Sequence, residues 1–297
     1  MARGNRSAAQ VDGVAVVDKP AGWTSHDVVA KSRGLLGTRK VGHSGTLDPD
    51  ATGVLVLGVG RATRLLRYLT ALGKSYEAEI VLGVETATLD AAGEVTATHD
   101  MAGVGLEDAR RAAVALTGPI LQVPPMVSAL KVDGRRLHEL AREGIEVERE
   151  ARPVTVHRFD LSATDDPLVL RCEVACSSGT YVRTLAADLG HALGGGAHLR
   201  ALRRTAVGGF TLADAVALEA LDPEHLRPVA DAVGHLPTLL VAGDLAVAVG
   251  HGKVLDRTEM GAEGDGPWAI VDDEGRLRAV YQAHKADTVK PELVIPL

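Results

Sequence analysis

A run of alternating apolar side chains limits the folds open to this chain of 297 residues. Every second residue from 168 to 176 is apolar, while Arg171 and Glu173 lie between them. This period of two is typical of a β-strand with one buried face. It also places Cys172 and Cys176 on that face as core residues. The chain therefore contains a sheet that has to be covered on at least one side.

Helical segments are interleaved with the strands. Residues 177–180, Ser-Ser-Gly-Thr, predict the N-cap of a helix over 181–193, which Gly194 to Gly196 end. The other periodic segments predict helices over 25–36, 62–72, 106–116, 137–142 and 197–204, and strands over 14–17, 54–59 and 76–82. The proline-containing residues 119–135 predict an extended, exposed excursion. The mixture predicts an α/β (α+β) fold.

The C-terminal part has a different pattern. Beyond Pro237 the apolar runs are short, and segments 269–271 and 277–282 flank the turn sequence Asp-Asp-Glu-Gly as a predicted hairpin. A small β domain is therefore expected from about residue 236 to 297, after a larger domain over 11–235 and a disordered tail over 1–10.

Composition excludes several protein classes. Hydrophobic residues make up 46% and charged residues 24%, as in ordinary globular domains. The longest apolar stretch, 54–59, is far shorter than the ~18 residues of a membrane span. Residues 1–10 are polar and no apolar segment follows, so no secretory signal is expected. With only two cysteines, a cytoplasmic protein without a disulfide framework is predicted.

Charge is distributed unevenly along the chain. The net charge is −7. Residues 1–75 nevertheless hold 11 Lys and Arg against 5 Asp and Glu, and residues 171–210 hold 5 against 2. If these basic segments meet in the fold, they offer a positive surface to a polyanion. Solvated surface faces explain the same counts, so charge alone leaves both interpretations open.

The loop at 41–53, VGHSGTLDPDATG, is the strongest candidate for chemistry. Asp48 lies there close to His43 and Thr46, and a carboxylate is already ionised at neutral pH. Arg183, in the first turn of the predicted helix 181–193, is a candidate counter-charge. The alternative is that Asp48 forms a turn before Pro49 and that Arg183 is solvated.

Aromatic and glycine-rich motifs add little by themselves. Tyr76 and Tyr181 lie near the candidate motifs, where a ring stacks on a nucleobase or a phenol exchanges a proton; each is equally a core residue. Gly37 to Lys40 and Gly58 to Gly60 lack the spacing of phosphate-binding loops. The histidines show no metal-ligand spacing, so no metal site is predicted.

Five ordered motifs cover nearly the whole chain. They are Val-Asp-Lys-Pro-Ala-Gly at 17–22, Gly-His-Ser-Gly-Thr-Leu-Asp-Pro at 42–49 with Ala-Thr-Gly-Val-Leu at 51–55, Lys-Ser-Tyr-Glu-Ala at 74–78, Ser-Ala-Leu-Lys at 128–131 with Gly-Arg-Arg at 134–136, and Cys-Ser-Ser-Gly-Thr-Tyr-Val-Arg at 176–183. In these motifs the chain resembles one family, the bacterial tRNA pseudouridine synthases that isomerise uridine 55 in the T-loop.

The resemblance implies roles for the residues at the centre of the site. Asp48 would be the catalytic aspartate and Arg183 its ion-pair partner. Tyr76 would stack on the target base near its C5 proton. Leu202 would supply an apolar floor, and Tyr181 would help to hold the network of the site.

Around this centre the resemblance implies further contacts. His43 would lie near the extruded nucleotide, and Lys19 with Pro20 would support the catalytic loop. An RNA-gripping insertion at about 124–150 would contact phosphates through Lys131, Arg135 and Arg136. Members of the family commonly carry Tyr where Val127 and His138 stand, and the residues at Ser44 and Asp50 also depart from the usual pattern.

The implied fold is that of the pseudouridine synthases, with a central mixed, largely antiparallel sheet flanked by helices and a small C-terminal β-barrel-like (PUA-like) domain. The implied partner is the T-arm of tRNA, without an obligatory protein partner, cofactor or metal. Deleting 236–297 is expected to weaken tRNA affinity more than turnover. The alternatives are a tRNA-folding chaperone that binds the T-arm without chemistry, and the same reaction on another RNA uridine. A retaining glycosidase lacks the second carboxylate that it requires.

Overall fold

The computed structural model describes residues 11–128, 130–132 and 134–296, so the tail predicted at 1–10 lies outside the described residues. The elements up to residue 122 are β1 (Gly13–Lys19), α1 (Ser25–Leu35), β2 (Val41–His43), β3 (Thr52–Val59), α2 (Leu66–Thr70), β4 (Lys74–Leu82), β5 (Val84–Thr86), β6 (Val95–Thr98), α3 (Leu106–Ala115) and β7 (Gly118–Gln122). The helix predicted over 62–72 is a 3₁₀ helix, Gly60–Leu65, followed by α2.

The elements after residue 130 complete the fold. They are β8 (Lys131–Val132), β9 (Arg135–Arg136), α4 (Leu137–Arg142), β10 (Arg152–Ala163), β11 (Val169–Cys176), α5 (Val182–Ala192), β12 (Ala197–Val207), β13 (Phe210–Thr211), β14 (Val216–Ala217), β15 (Thr238–Val241), α6 (Gly243–Gly250), β16 (Leu255–Asp256), β17 (Trp268–Asp272), β18 (Leu277–Ala283) and β19 (Thr288–Val294).

One large sheet forms the body of the molecule. Its strand order is β14-β1-β3-β12-β4-β11-β10-β7, with β2 paired to β3 and β13 to β12. Only the pairs β1–β14 and β12–β3 are parallel, and the other pairs of this sheet are antiparallel. The predicted fold class, a mixed and largely antiparallel sheet with helices, is confirmed. The first residues of the predicted excursion 119–135 belong to the edge strand β7.

The alternating segment 168–176 forms β11, as its period predicts. Cys172 and Cys176 are each 1% exposed and pack with Leu185 and Leu189 of α5 in one core. The predicted N-cap of α5 is wrong. Tyr181 is the N-cap residue, and its backbone N–H donates to Gln122 Oε1 at 2.7 Å. A side chain from β7 therefore satisfies the first turn of α5 in place of residues 177–180.

The helix predicted over 197–204 is also wrong, because these residues form the central strand β12. The strand pairs with β3 on one side and β4 on the other. Two sheet partners satisfy its backbone N–H and C=O groups, which outweighs the helical pattern of its side chains. This correction matters for function, since β12 carries Leu202 and Arg204 into the middle of the sheet.

The C-terminal residues form a second sheet of five strands in the order β15-β17-β18-β19-β16, and β17 with β18 is the predicted hairpin. This sheet packs directly on the body. Leu277 and Val280 share a core with Leu65 and Leu69. The hydroxyl of Tyr68 also donates to Glu292 Oε2 at 2.7 Å. Among the described residues, no helix is both long and apolar enough to cross a membrane.

Because of this shared core, removing 236–297 is expected to destabilise the large sheet, in addition to the loss of tRNA affinity that the resemblance implies. The deletion uncovers apolar side chains worth about 1.5–3 kcal/mol each, and at 2–4 °C per kcal/mol the Tm is expected to fall by about 10 °C or more. Thermal unfolding of the two proteins measures this. An unchanged Tm would show that the shared core contributes nothing to the stability of the body.

Candidate active site

Lys19, the last residue of β1, holds the loop between β2 and β3 through hydrogen bonds. Lys19 is fully buried, and its Nζ donates to the carbonyl oxygens of Pro20, Trp23 and Pro49 at 2.6–2.9 Å. Ser25 of α1 adds a reciprocal pair of hydrogen bonds with the backbone of Leu47. These bonds fix the backbone on both sides of Asp48.

Arg204 of β12 holds the other end of the loop. It is 1% exposed, and it donates from Nε to Val54 O at 2.7 Å and from Nη2 to Gly45 O at 3.2 Å. Gly53 lies against the backbone of Arg204 with a φ of +101°, and a Cβ on Gly53 would lie 2.2 Å from Arg204 O. Only glycine permits this close approach of strands β3 and β12.

Asp48 and Arg183 meet at the centre of this arrangement. Arg183 Nε lies 3.1 Å from Asp48 Oδ2, and Nη2 lies 3.3 Å from Oδ1. The guanidinium also donates to Asp90 Oδ2 at 3.1 Å, Thr88 O at 3.0 Å and Val127 O at 2.9 Å. Arg183 is therefore a buried residue of this site and not the solvated helix residue of the alternative interpretation.

Two opposing effects act on the Asp48 carboxyl. Burial raises its pKa above the ordinary value, and the Arg183 guanidinium opposes that shift, while Asp90 adds to it. The side chain of Asp48 remains 41% exposed and that of Arg183 only 5%. The carboxylate thus faces an opening while its partner is enclosed, which is the geometry that a reacting group requires.

A cavity of about 430 Å³ opens above the ion pair. Asp48, Tyr76, Tyr181, Arg183 and Leu202 all line it, so the structure brings these five predicted site residues together. Burial raises the pKa of both tyrosine hydroxyls. A second cavity of about 350 Å³ adjoins the first and shares Asp48, Arg183 and Leu202 with it. The combined space accommodates more than a single base.

Other predicted residues lie outside the two cavity linings. His43 accepts a hydrogen bond at Nδ1 from Gly45 N at 3.3 Å and packs edge-on against His26, with ring centroids 5.2 Å apart. Burial lowers its pKa. Pro20 contributes a carbonyl oxygen to Lys19. His43 and Pro20 thus contact residues next to or within the loop that carries Asp48.

The predicted insertion carries the remaining residues. Lys131 and Arg136 belong to the two-stranded pair β8–β9, and their side chains lie outside the described part of the chain. Arg135 is half-exposed and forms an ion pair with Glu143 at 2.5 Å. These basic residues lie on a small hairpin apart from the large sheet. Val127 contributes its carbonyl oxygen to Arg183, a contact that any residue at this position supplies.

Three residues of the site were not predicted. Asp90 pairs with Arg183, Arg204 supports the loop, and Lys74 lines the first cavity with Nζ donating to Thr70 O and Leu72 O at 2.7 Å each. Asp90 stands in turn-like sequence, and Arg204 was assigned to a helix. The local sequence around Asp90 and Arg204 does not indicate that they belong to the site, because only the pairing of distant segments brings them to Asp48.

Burial lowers the pKa of Lys19 and of Lys74 to about 8 from the ordinary 10.5. Between pH 8 and 10.5 the unfolded chain binds more protons at these two lysines than the folded chain does. The free energy of unfolding is therefore expected to increase as the pH rises through this range and to decrease as the pH falls towards 8. Urea unfolding between pH 7.5 and 9.5 measures this slope. We expect a smaller slope for Lys74→Met than for the unchanged protein, whereas equal slopes would contradict a buried titrating lysine.

Comparison with known proteins shows the family of this chain. Residues 33–182 match the model of the TruB family pseudouridylate synthase (N terminal domain), and residues 183–234 match that of the tRNA pseudouridylate synthase B C-terminal domain. The chain belongs to the TruB family of pseudouridylate synthases. The resemblance and the enzyme class predicted from the sequence motifs are both confirmed.

Curated TruB relatives span almost the whole chain. The tRNA pseudouridine synthase B of Arthrobacter sp. (strain FB24) is 47% identical over 296 residues, covering 96% of each chain. That of Corynebacterium aurimucosum is 51% identical over 276 residues, covering 91% of this chain and 92% of its own. A chain in a crystal structure of a Cbf5-Nop10-Gar1 complex matches with a TM-score of 0.75 and 28% identity, over 97% of this chain and 86% of its own.

The described residues of this TruB site include no group of metal-ligating side chains. Within the described residues, no three His, Cys, Asp or Glu side chains lie close enough together to hold a metal ion. The charged groups at the cavity are instead one carboxylate, Asp48, and the cations Lys74, Arg183 and Arg204.

Proposed function

We propose that this TruB family member converts uridine 55 in the T-loop of tRNA to pseudouridine, with Asp48 as the catalytic group. The observation that carries the proposal is the Asp48–Arg183 ion pair at the floor of a cavity that Tyr76 and Leu202 also line. Its relatives are named tRNA pseudouridine synthase B, which supports tRNA as the substrate.

The target base has to leave the stacked loop to reach Asp48. Base extrusion costs a few kcal/mol, which stacking and backbone contacts recover. In this cavity the Tyr76 ring offers a stacking surface, and Leu202 offers an apolar one. The adjoining second cavity gives room for a neighbouring nucleotide.

The reaction moves the sugar from N1 to C5 of the same base. The N1–C1′ bond breaks, the base turns, the C5–C1′ bond forms, the C5 proton leaves and N1 takes up a proton, with no net redox change. Three first steps suit a carboxylate placed as Asp48 is: attack on the sugar, attack on the base ring, or removal of a sugar proton. Each requires an ionised Asp48, and Arg183 favours that form.

We assign removal of the C5 proton to Tyr76. The ring is 8% exposed and lines the cavity beside Asp48, so its hydroxyl lies next to the base after rotation. A phenol in the ionised form accepts a proton from carbon, and the released electron pair restores the C5–C6 double bond of the base.

The RNA backbone is expected to contact exposed cations from the two basic segments. The segments do meet, since β12 pairs with β3. However, Lys19, Lys74 and Arg204 are buried, so much of the positive charge serves the site itself. The exposed part includes Lys31, Arg39 and Lys40. Lys131, Arg135 and Arg136 of the insertion are proposed as further phosphate contacts.

Tritium release from a T-arm hairpin labelled at uridine C5 tests the proposal. The labelled hairpin with uridine 55 is expected to release tritium. A hairpin with cytidine at 55 and label at the remaining uridines is the matched control, and it is expected to release none. Binding without release would favour a tRNA-folding chaperone, and release from the control would assign the reaction to another uridine.

A further inference from the structure

Arg204 carries a positive charge that the site does not neutralise with an acid. Its side chain is 1% exposed in the middle of the sheet, and no carboxylate forms an ion pair with it among the residues that the structure describes. A buried charge without an opposite charge is costly, and a protein retains one only where its surroundings use it.

The hydrogen bonds of Arg204 are made to neutral oxygens. The backbone carbonyls of Val54, Gly45 and Thr46 accept three of them, at 2.7, 3.2 and 3.5 Å. The Tyr76 hydroxyl, which lines the same cavity as Arg204, is a further hydrogen-bond partner that raises the pKa of the guanidinium. Because a guanidinium has donors but no acceptor, the Tyr76 oxygen is the acceptor in that bond. Carbonyl groups are neutral dipoles, so they accept hydrogen bonds from the guanidinium without cancelling its positive charge. The net charge therefore acts on the phenol.

Sheet register fixes this contact. Arg204 and Tyr76 are direct cross-strand partners in the β12–β4 pair, and Arg204 is also the partner of Gly53 in β3. Directly opposed residues share a face of the sheet, with Cβ atoms about 5 Å apart. One side chain thus links the loop that carries Asp48 to the ring proposed to take the C5 proton.

We propose that Arg204 is a positioning residue whose charge favours the ionised form of Tyr76 and so accelerates removal of the C5 proton. This inference rests on the proposed function. The phenol first loses its proton to solvent. The resulting phenolate, held by the Arg204 N–H group, then takes the proton from C5, and the electron pair of the C5–H bond forms the C5–C6 double bond.

The surroundings of Tyr76 otherwise disfavour its ionisation. Burial raises the pKa of the phenol, and Cys176 of β11 and Asp48 of the loop act in the same direction. Arg204 opposes them both by its charge and by its hydrogen bond. The other ionisable groups lining the cavity are Lys74, Tyr181 and Arg183. Of these groups, Arg204 is the cation that lies directly opposite Tyr76 in the sheet.

The experiment measures single-turnover rates with a T-arm hairpin carrying hydrogen or deuterium at uridine C5. Arg204→Gln removes the charge, Arg204→Lys keeps it, and Tyr76→Phe removes the acceptor. Arg203→Gln is the matched control. Arg203 directly precedes Arg204 in β12 and forms an ion pair with Asp18, and neither Arg203 nor Asp18 lines the first cavity. Thermal unfolding shows that each variant is folded.

We expect Arg204→Gln to react at least about tenfold more slowly than Arg203→Gln, since a neighbouring opposite charge shifts a pKa by one unit or more. The slow variant is expected to show a primary isotope effect at C5, and its rate is expected to rise with pH. Arg204→Lys is expected to react faster than Arg204→Gln. Replacing the tyrosines by 3-fluorotyrosine, a more acidic phenol, is expected to restore part of the Arg204→Gln rate and to leave Arg203→Gln unchanged.

Two results would overturn the inference. The first is equal rates for Arg204→Gln and Arg203→Gln. The second is a slow, folded Arg204→Gln with neither an isotope effect at C5 nor recovery with 3-fluorotyrosine, which would mean that Arg204 supports only the loop. In both cases the unchanged protein still forms pseudouridine. Failure of the proposed function is a separate outcome, seen as no tritium release from the unchanged protein.

Discussion

Replacing Asp48 by Asn is expected to reduce pseudouridine formation by about 10⁴-fold or more while the T-arm hairpin still binds. An amide neither attacks the substrate nor accepts a proton as a carboxylate does, and groups in such roles contribute factors of this order. The shape of the loop is expected to persist, because Lys19 and Ser25 hold it through backbone atoms. Arg183 also keeps Asp90 as an ionic partner.

The measurement is tritium release together with hairpin affinity for both proteins. Asp50→Asn is the matched control, since it removes a carboxylate from an exposed position two residues further along the same loop. We expect the control to retain turnover within severalfold. Asp48→Asn with near-normal turnover would remove Asp48 from the mechanism, and loss of hairpin binding would indicate that the loop had rearranged.

Replacing Arg183 is expected to have the second largest effect. The guanidinium makes four hydrogen bonds, to Asp48, Asp90, Thr88 and Val127, and its Nε lies 3.1 Å from a second oxygen of Asp48. The four N–H groups on its two terminal nitrogens thus all donate to acceptors. Lysine has three donors and no planar fork, so Arg183→Lys is expected to lose about 10²-fold in turnover and Arg183→Met about 10³-fold.

The stability and the pH dependence of the Arg183 variants show whether Arg183 acts on Asp48 or contacts the substrate. Without Arg183, Asp48 and Asp90 repel one another, and we expect a loss of about 2 kcal/mol, less than for a fully buried pair because Asp48 is 41% exposed. The pKa of Asp48, already raised by burial, is expected to rise further.

The acid side of the pH–rate profile of Arg183→Met is therefore expected to move to higher pH, so that raising the pH restores part of the activity. Urea unfolding and rates from pH 5 to 8 measure both effects. An unshifted profile in a folded Arg183→Met protein would argue that Arg183 acts on the substrate and not on Asp48.

Local patterns in the sequence predicted much of the fold. The alternation at 168–176 gave the correct strand, β11, with both cysteines buried, because a period of two has one structural solution when one face packs on a core. The run at 54–59 is apolar throughout since β3 is covered on both faces, by α1 on one and by α2 with the C-terminal sheet on the other.

The errors came where backbone pairing at long range outweighed local preference. Residues 197–204 have a helical pattern, yet strands β3 and β4 leave a gap that only another strand fills. The N-cap residue of α5, Tyr181, likewise finds its hydrogen-bond partner in Gln122, 59 positions away in the sequence. In both cases the partner lies outside the segment whose conformation it determines, so the sequence of that segment does not show it.

The ordered motifs around Asp48, Tyr76 and Arg183 determined which family this chain belongs to, and the resemblance implied that these residues share one site. Their residue types alone left open that Asp48 forms a turn, that Arg183 is solvated and that Tyr76 is a core residue. The tertiary structure alone brought in Asp90 and placed Arg204 opposite Tyr76. The physical reason is that an ion pair or a cross-strand contact is a property of two distant segments. Its energy exists only when the sheet sets them in register.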